Sequence, residues 1–377
     1  MQETEQTIGI ALVGYGGIGR VHNAALAQVK HIYPQTAPPF ELKAVCMRNQ
    51  AKAEAAAAEA GAERAYGEFD QLLSDDSIQV LDMVTPNFAH EEQIAKAVAA
   101  GKHIICEKPL SATREEAERI SRAVEASGRT FGMIFNYRFI PALMQAKQMI
   151  DAGKLGEIYS FRAEYYHTGY QNPERPLSWR MEMDKSGGGA MVDLGVHVID
   201  LIHYLFGGVA AVQGMTETYI SERPVAKGAA EKGAVTVDDA AWFNLLLENG
   251  AKGTLEVSRF ATGTLDDLNL VAYGSKGALR FSLMDSSYLY WFDAEEPAAG
   301  IGGWSRLETV QRYPDAVLPN PRSVTGWTRY HAENLYRFLK AVAARELFSP
   351  GVADGLAAQR VLSTAYAAAE SGGWVEV

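Results

Sequence analysis

The run Ile8-Gly9-Ile10-Ala11-Leu12-Val13, leading into Gly14-Tyr15-Gly16-Gly17-Ile18-Gly19, decides the fold of this chain. An apolar stretch of strand length ends in G-x-G-x-x-G, and the residues that follow open a helix. In that setting the first glycine allows a tight turn, the second lets the backbone approach a pyrophosphate, and the third lets helix and strand pack closely. Free N–H groups at the helix start then hold phosphate. A glycine turn with no ligand is the plain alternative, and the strand before it and the helix after it count against it.

Outward from this motif, apolar runs alternate with amphipathic stretches. Strands are predicted at 42–47, 80–85, 103–106 and 130–135, with helices at 51–60, 91–100 and 115–126. Gly61, Gly101 and Gly128 stand where these helices end, as a left-handed cap requires. Such alternation predicts a parallel sheet with crossover helices, an α/β Rossmann dinucleotide-binding domain over residues 1–138. Past residue 138 the texture changes. A helix at 141–151, an aromatic-rich strand at 159–166 and long alternating strands at 241–248, 253–259, 269–273 and 278–283 predict an α+β domain. This second domain, 139–377, is expected to carry a large, mostly antiparallel sheet, to bind substrate and to oligomerise; its tail reads as helices at 331–344 and 355–371.

With 377 residues, 47% of them hydrophobic and 21% charged, the chain has the balance of a folded protein with room for two domains. A formal charge of -11 argues against nucleic acid or an anionic membrane as partner, because both are bound through Lys and Arg. Small neutral ligands suit it better. The acidic start Met1-Gln2-Glu3-Thr4-Glu5 lacks the basic segment of a secretory signal, so a cytoplasmic protein is expected. No apolar stretch approaches the roughly 20 residues a membrane span needs. Cys46 and Cys106 read as buried reduced thiols, and no Cys/His cluster has metal-ligand spacing, so no metal is expected.

The strand at 42–47 runs into Arg48-Asn49 with no carboxylate to meet an adenosine ribose. Arg48 is therefore placed to stack on adenine or meet a 2′-phosphate, which leans toward NADP; as a solvated loop charge it leaves NAD equally possible. Thr85-Pro86-Asn87 and Glu107-Lys108-Pro109 each follow a strand, at the carboxyl ends where open α/β sheets bind ligands. A lysine there can stabilise a developing alkoxide. Farther on, Asp193 and His197 lie four apart in an apolar run preceded by three glycines, so an α-helix would put both on one face, a carboxylate orienting an imidazole.

Sugar binding combines aromatic faces with polar donors, which Tyr165-Tyr166-His167-Thr168-Gly169-Tyr170 and Trp179-Arg180 supply. Asn136 and Arg138, at the end of the strand at 130–135, are further candidates, as are Tyr330 and His331. His22, His31, His103 and His203 are assigned to structure or solvent.

Together these residues resemble the glucose-fructose oxidoreductase, inositol dehydrogenase and rhizopine catabolism family (Gfo/Idh/MocA) over nearly the whole chain. The likeness rests on the glycine fingerprint, Thr85-Pro86-Asn87 with His90, Glu107-Lys108-Pro109, Asn136-Tyr137-Arg138 and residues 189–200. It implies an NAD(P)-dependent sugar or polyol dehydrogenase with Lys108, Asp193 and His197 as the catalytic set. Cofactor contacts are implied at Gly14, Gly16, Gly17, Ile18, Gly19, Arg48, Thr85, Pro86, Asn87, His90, Glu107, Lys108 and Asn136. Substrate contacts are implied at Lys108, Arg138, Tyr166, Trp179, Arg180, Asp193 and His197. Pro176-Leu177-Ser178-Trp179-Arg180 and the loop 30–39 resemble the branch that oxidises the C3 hydroxyl of glucosides and anhydrosugars, whose members mostly imply NAD. The expected reaction is oxidation of a secondary hydroxyl, with the dinucleotide either exchanging or retained through turnover. The alternatives are a glycosidase or lyase working through transient C3 oxidation and elimination, a cyclitol dehydrogenase, and a non-catalytic nucleotide sensor. The far face of the second domain's sheet needs a cover, so a homo-oligomer, dimer or tetramer, is expected.

Overall fold

The computed structural model describes residues 7–295, 302–309, 313–318 and 324–377. The chain divides into two compact units, one made of the chain up to Phe139 with Tyr313–Leu356, the other of Ile140–Arg312 with Ala357–Val377.

The first unit is built on β1 (Ile8–Val13), β2 (Phe40–Cys46), β3 (Arg64–Tyr66), β4 (Val80–Met83), β5 (His103–Cys106) and β6 (Phe131–Met133). All pair in parallel, in the order β3-β2-β1-β4-β5-β6. Every residue of β1 is buried, as in a strand covered on both faces. The strand order reverses between β1 and β4, the switch point beside which doubly wound sheets bind ligands. β3 and the helix Phe69–Leu73 have no counterpart in the sequence reading, because so short a strand shows no alternation.

The expectation that everything after residue 138 belongs to the second domain needs correction, since Tyr313–Leu356 returns to the first unit. Packing is the reason. The helix Trp327–Ala344 shares one apolar core with the helix Gly17–Ile32, through Leu335, Phe338 and Leu339 on one and Ala25, Val29 and Ile32 on the other. Its buried polar groups are paired there: Arg329 donates to the Tyr33 hydroxyl at 3.0 Å, and that hydroxyl donates to Glu333. The loop 30–39 thus anchors the returning helix, with Tyr33 stacked on Tyr336 at 3.6 Å and Thr36 Oγ1 2.9 Å from the Tyr336 hydroxyl.

The second unit holds β7 (Ile158–His167), β8 (Val209–Glu217), β9 (Glu222–Pro224), β10 (Lys232–Ala234), β11 (Ala240–Leu247), β12 (Lys252–Ser258), β13 (Asp266–Gly274), β14 (Gly277–Ser282), β15 (Tyr288–Asp293), β16 (Ser305–Glu308) and β17 (Val375–Glu376). Nine of them form one sheet, β16-β15-β14-β13-β7-β12-β11-β8-β17, while β9 and β10 pair separately. Within the large sheet β7 and β12 are parallel and the other pairs antiparallel. Phe161, Ala163 and Tyr165 of β7 point to the buried face, where the helix Val196–Phe206 packs; Arg162, Glu164 and Tyr166 point to the other.

One segment, Met183–Phe206, is after all long and apolar enough to cross a membrane by length and composition. Its most apolar window is 83% buried inside the protein, which is where a core helix acquires such a composition.

Candidate active site

In the first unit the fingerprint takes the form its glycines predict. Gly14 has φ +97°, and a Cβ there would also lie 3.0 Å from the Val84 carbonyl, so only glycine fits. Gly16 and Gly17 face open space, and no side chain caps the helix that begins at Gly17. Its first N–H groups are therefore presented to a ligand, as a dinucleotide pyrophosphate needs. Arg48 is exposed beyond β2, and the neighbouring Asn49 caps the next helix by accepting from the Lys52 N–H at 3.0 Å.

The Glu107-Lys108-Pro109 loop leaves the carboxyl end of β5 with a cis Lys108–Pro109 peptide. Glu107 is buried and uses both oxygens: Oε2 accepts from the Lys108 N–H at 3.0 Å, and Oε1 lies 3.1 Å from His22 Nε2. The other ring nitrogen of His22 meets Asp82 Oδ1 of β4 at 2.8 Å. His22, assigned to structure or solvent in the sequence reading, takes the structural part of that assignment: it is fully buried between two carboxylates. Burial alone would lower its pKa, but the charge of Asp82 and the hydrogen bonds to Asp82 and Glu107 raise it to about 10. Glu107 is driven the other way: burial opposes ionisation, yet the His22 hydrogen bond and charge bring it down to about 2. His331, its ring 5.6 Å from that of His22, is held neutral by burial and by the His22 charge, its pKa falling to about 4. His22, Glu107 and His331 have ligand-type atoms within 4.8 Å of one another. The His22–Glu107 hydrogen bond joins two of the three, and the His331 ring packs beside His22.

In the second unit, the predicted α-helix through Asp193 and His197 is broken by one π turn, Met191–Gly195, before α-helix resumes at Val196–Phe206. Such wide turns recur at functional sites. The three glycines ahead of it let other groups approach. A Cβ at Gly189 would fall 1.8 Å from the Asp238 carbonyl, and the Asp238 side chain accepts from the Gly189 and Met191 N–H groups, each at 2.8 Å, and from the Tyr366 hydroxyl at 2.6 Å. Arg259, wholly buried, donates from Nη2 to the Gly189 carbonyl at 2.9 Å and to Asp193 Oδ2 at 3.1 Å. Its guanidinium lies 4.2 Å from the Tyr170 ring, with Arg175 at 4.1 Å from the same ring. Arg223 donates to the Tyr170 and Asn172 carbonyls, so buried arginines pin the start of the loop that carries Trp179. His197 is buried, with Tyr165 edge-on to its ring at 6.1 Å.

Several expected contacts fall elsewhere. Tyr166 lies on the face of the sheet opposite Tyr165 and His197, because successive strand residues alternate. Burial and the nearby carboxylates of Glu164 and Glu256 raise its pKa. Arg138 is buried in an ion pair with Asp354 at 2.8 Å, holding two parts of the first unit together rather than presenting a cation to substrate. His90 is likewise buried, its ring against the carbonyls of Thr85 at 3.0 Å, Pro109 at 3.1 Å and Leu110 at 3.2 Å; it ties the two loops together from beneath. Asn136 is buried, with Nδ2 3.5 Å from His331 Nδ1. Thr85, Pro86 and Asn87 follow β4, and Arg180 is exposed with its guanidinium 4.3 Å from the Trp179 ring. Cys46 and Cys106 are free and buried. Sequence reasoning missed Arg259 and Asp238, and named Tyr165 only as part of a candidate substrate stretch; an arginine closing the alternating strand Lys252–Ser258 was the available signal for the first.

A doubly wound sheet with an open phosphate-binding turn, and a lysine loop at its carboxyl edge, defines a pyridine-nucleotide oxidoreductase. Comparison with known proteins narrows the class. Residues 8–135 match the oxidoreductase family with NAD-binding Rossmann fold and residues 143–280 the GFO/IDH/MocA C-terminal domain, and the chain belongs to that family. It is similar to levoglucosan dehydrogenase of Pseudarthrobacter phenanthrenivorans, 32% identical over 99% of this chain and 98% of that protein. A solved levoglucosan dehydrogenase in complex with NADH and levoglucosan matches at TM-score 0.93 and 32% identity, covering 99% of both chains. An oxidoreductase domain protein from Kribbella flavida matches at TM-score 0.92 and 34% identity, again covering 99% of both. Glucose-6-phosphate 3-dehydrogenase of Bacillus subtilis is 25% identical over 94% of each chain. This chain is thus an NAD-binding oxidoreductase of a family of sugar and polyol dehydrogenases.

Proposed function

We propose that the protein oxidises a secondary hydroxyl, at C3, of a sugar, glycoside or anhydrosugar. One observation carries this reading: Lys108 follows β5 at the carboxyl edge of the nucleotide-binding sheet, where a cation can meet an oxyanion. The likeness to a levoglucosan dehydrogenase and to a glucose-6-phosphate 3-dehydrogenase supports the substrate class and the C3 position. Gly14 and Gly16 to Gly19 would hold the dinucleotide, which when bound supplies the hydride acceptor. His197 takes the hydroxyl proton, the role a positioned imidazole most often fills in general-base catalysis. Lys108 stabilises the oxyanion as it forms. Asp193, fixed by Arg259, bonds His197 or a neighbouring hydroxyl.

The test follows the reduced-nicotinamide absorbance with glucosides, 1,6-anhydroglucose and inositols, using NAD and NADP separately. A rise with an anhydrosugar or glucoside and an accumulating 3-keto product, lost in Lys108→Ala and His197→Ala, is the expected result. A rise confined to inositols would make it a cyclitol dehydrogenase, and free sugar released with no net redox change would make it a glycosidase.

We also propose that a second copy of the chain covers the outer face of the nine-stranded sheet. Met215, Trp242, Leu246 and Val271 share that face by register, with Met215 63% exposed. A monomeric mass by light scattering at micromolar concentration would refute it.

A further inference from the structure

His22 is buried and bonds Asp82 and Glu107, neither of which is assigned to proton transfer, and its bonding asks for an explanation. Its two ring nitrogens face carboxylate oxygens, Asp82 Oδ1 at 2.8 Å and Glu107 Oε1 at 3.1 Å. An ionised carboxylate only accepts, so both nitrogens must donate and the ring must be an imidazolium. The raised pKa agrees with this geometry. Three elements meet on the ring: the helix Gly17–Ile32, which starts at the fingerprint, strand β4 through Asp82, and the end of β5 through Glu107. Glu107 then spends its second oxygen on the Lys108 N–H at 3.0 Å. His331 approaches the cluster as a neutral ring and cannot replace the missing cation, because a second charge beside His22 is disfavoured.

We propose that His22 is a positioning residue: by bonding Asp82 through one nitrogen and Glu107 through the other, it locks the Lys108 loop to the helix that begins at the dinucleotide fingerprint. The functional part rests on the reading of Lys108 as the residue that stabilises the oxyanion. Without His22, Glu107 and Asp82 become two buried carboxylates with no cation between them, and Glu107 must turn toward water to be solvated. That movement releases the Lys108 N–H and lets the loop shift. A shift of this kind reduces turnover by misplacing Lys108, while the fingerprint and the contacts outside the loop stay in place.

The experiment uses the full chain with His22→Gln, and with His22→Gln combined with Asp82→Asn so that one unpaired carboxylate is removed and folding is retained. The expected result is a fall in kcat of about tenfold to a hundredfold. The KM for the sugar and the Kd for NAD, to which Lys108 is one contact among several, should change less than kcat does. Amide hydrogen exchange across residues 103–111 should become at least about tenfold faster in both variants, and wild-type histidine 15N spectra at pH 8 should show one ring with both nitrogens protonated. Unchanged exchange, or a neutral tautomer in that spectrum, overturns the proposal. Full recovery of kcat in the double variant also overturns it, because it would leave His22 a stabilising role only. Lys108→Ala run alongside separates the two ideas. If it keeps wild-type activity, the reading of Lys108 fails, while exchange and the spectrum still decide whether His22 fixes the loop.

Discussion

Each unit holds one buried cation beside its candidate residues, His22 in the first and Arg259 in the second, and the two are held in opposite ways. His22 has both donors matched to carboxylates on two strands. Arg259 bonds through Nη2 alone, leaves Nε and Nη1 without hydrogen-bond partners among the described residues, and lies with its guanidinium 4.2 Å from the Tyr170 ring. The difference is that a proton can switch off the first and not the second, since a guanidinium stays charged at any working pH. The first unit therefore carries a pH-sensitive joint, and the second a permanent one.

Arg259→Met should have the largest effect, because it removes a buried cation that holds the Gly189 carbonyl and the half-buried Asp193; a loss of about 2–3 kcal/mol is expected, read as a drop in Tm by calorimetry. Arg259→Lys keeps the charge but not the planar stacking surface and should fall between. A Met variant as stable as wild type would mean that the pair supports nothing.

The pH dependence of stability sharpens the contrast. His22 has a folded pKa of about 10 against an ordinary 6.5, so its contribution is complete below pH 6.5 and fades as pH rises toward 10. His331 and Glu107 are depressed, to about 4 and about 2, so their contributions hold above 6.5 and 4.5 respectively and fade as pH falls through the folded values. Stability should peak near pH 6.5, and the decline on the alkaline side should flatten in His22→Gln and persist in Arg259→Lys. Denaturant midpoints measured between pH 4 and 10 test this.

A smaller effect separates neighbouring tyrosines. Tyr165→Leu removes the ring against His197 and should lower kcat by about tenfold. Tyr166→Phe, on the other face, should leave kcat within about twofold, and equal losses would contradict the assignment of faces. Smallest is Arg48→Asp, which places a carboxylate beyond β2. Fluorescence titration should then show NADP weakened about tenfold and NAD hardly affected, as the acidic residue typical of NAD sites repels a 2′-phosphate.

The parallel sheet was legible because each of its long strands ends at a glycine or a polar tripeptide, and because fully buried strands read as continuous apolar runs. Lys108, Asp193 and His197 were legible as motifs. What escaped was whatever depends on partners distant in sequence. His22 and Glu107 are 85 positions apart, and Arg259 lies 66 beyond Asp193, so no local spacing joins them. The face that Tyr166 occupies was not legible, because alternation says which residues share a face, not which face is covered. The return of residues 313–356 escaped for a similar reason: an amphipathic helix shows its stripe but not its partner.

That return has a consequence for how the protein is made. During synthesis the nucleotide-binding sheet is complete once Met133 has emerged, yet the groove beside the helix Gly17–Ile32 stays uncovered until Trp327–Ala344 follows, after most of the second unit has been translated. The first third or so of the polypeptide must wait on the ribosome with an apolar surface open. Fragments ending near residue 139 should accordingly expose that surface and aggregate, although every residue of the dinucleotide fingerprint is present in them.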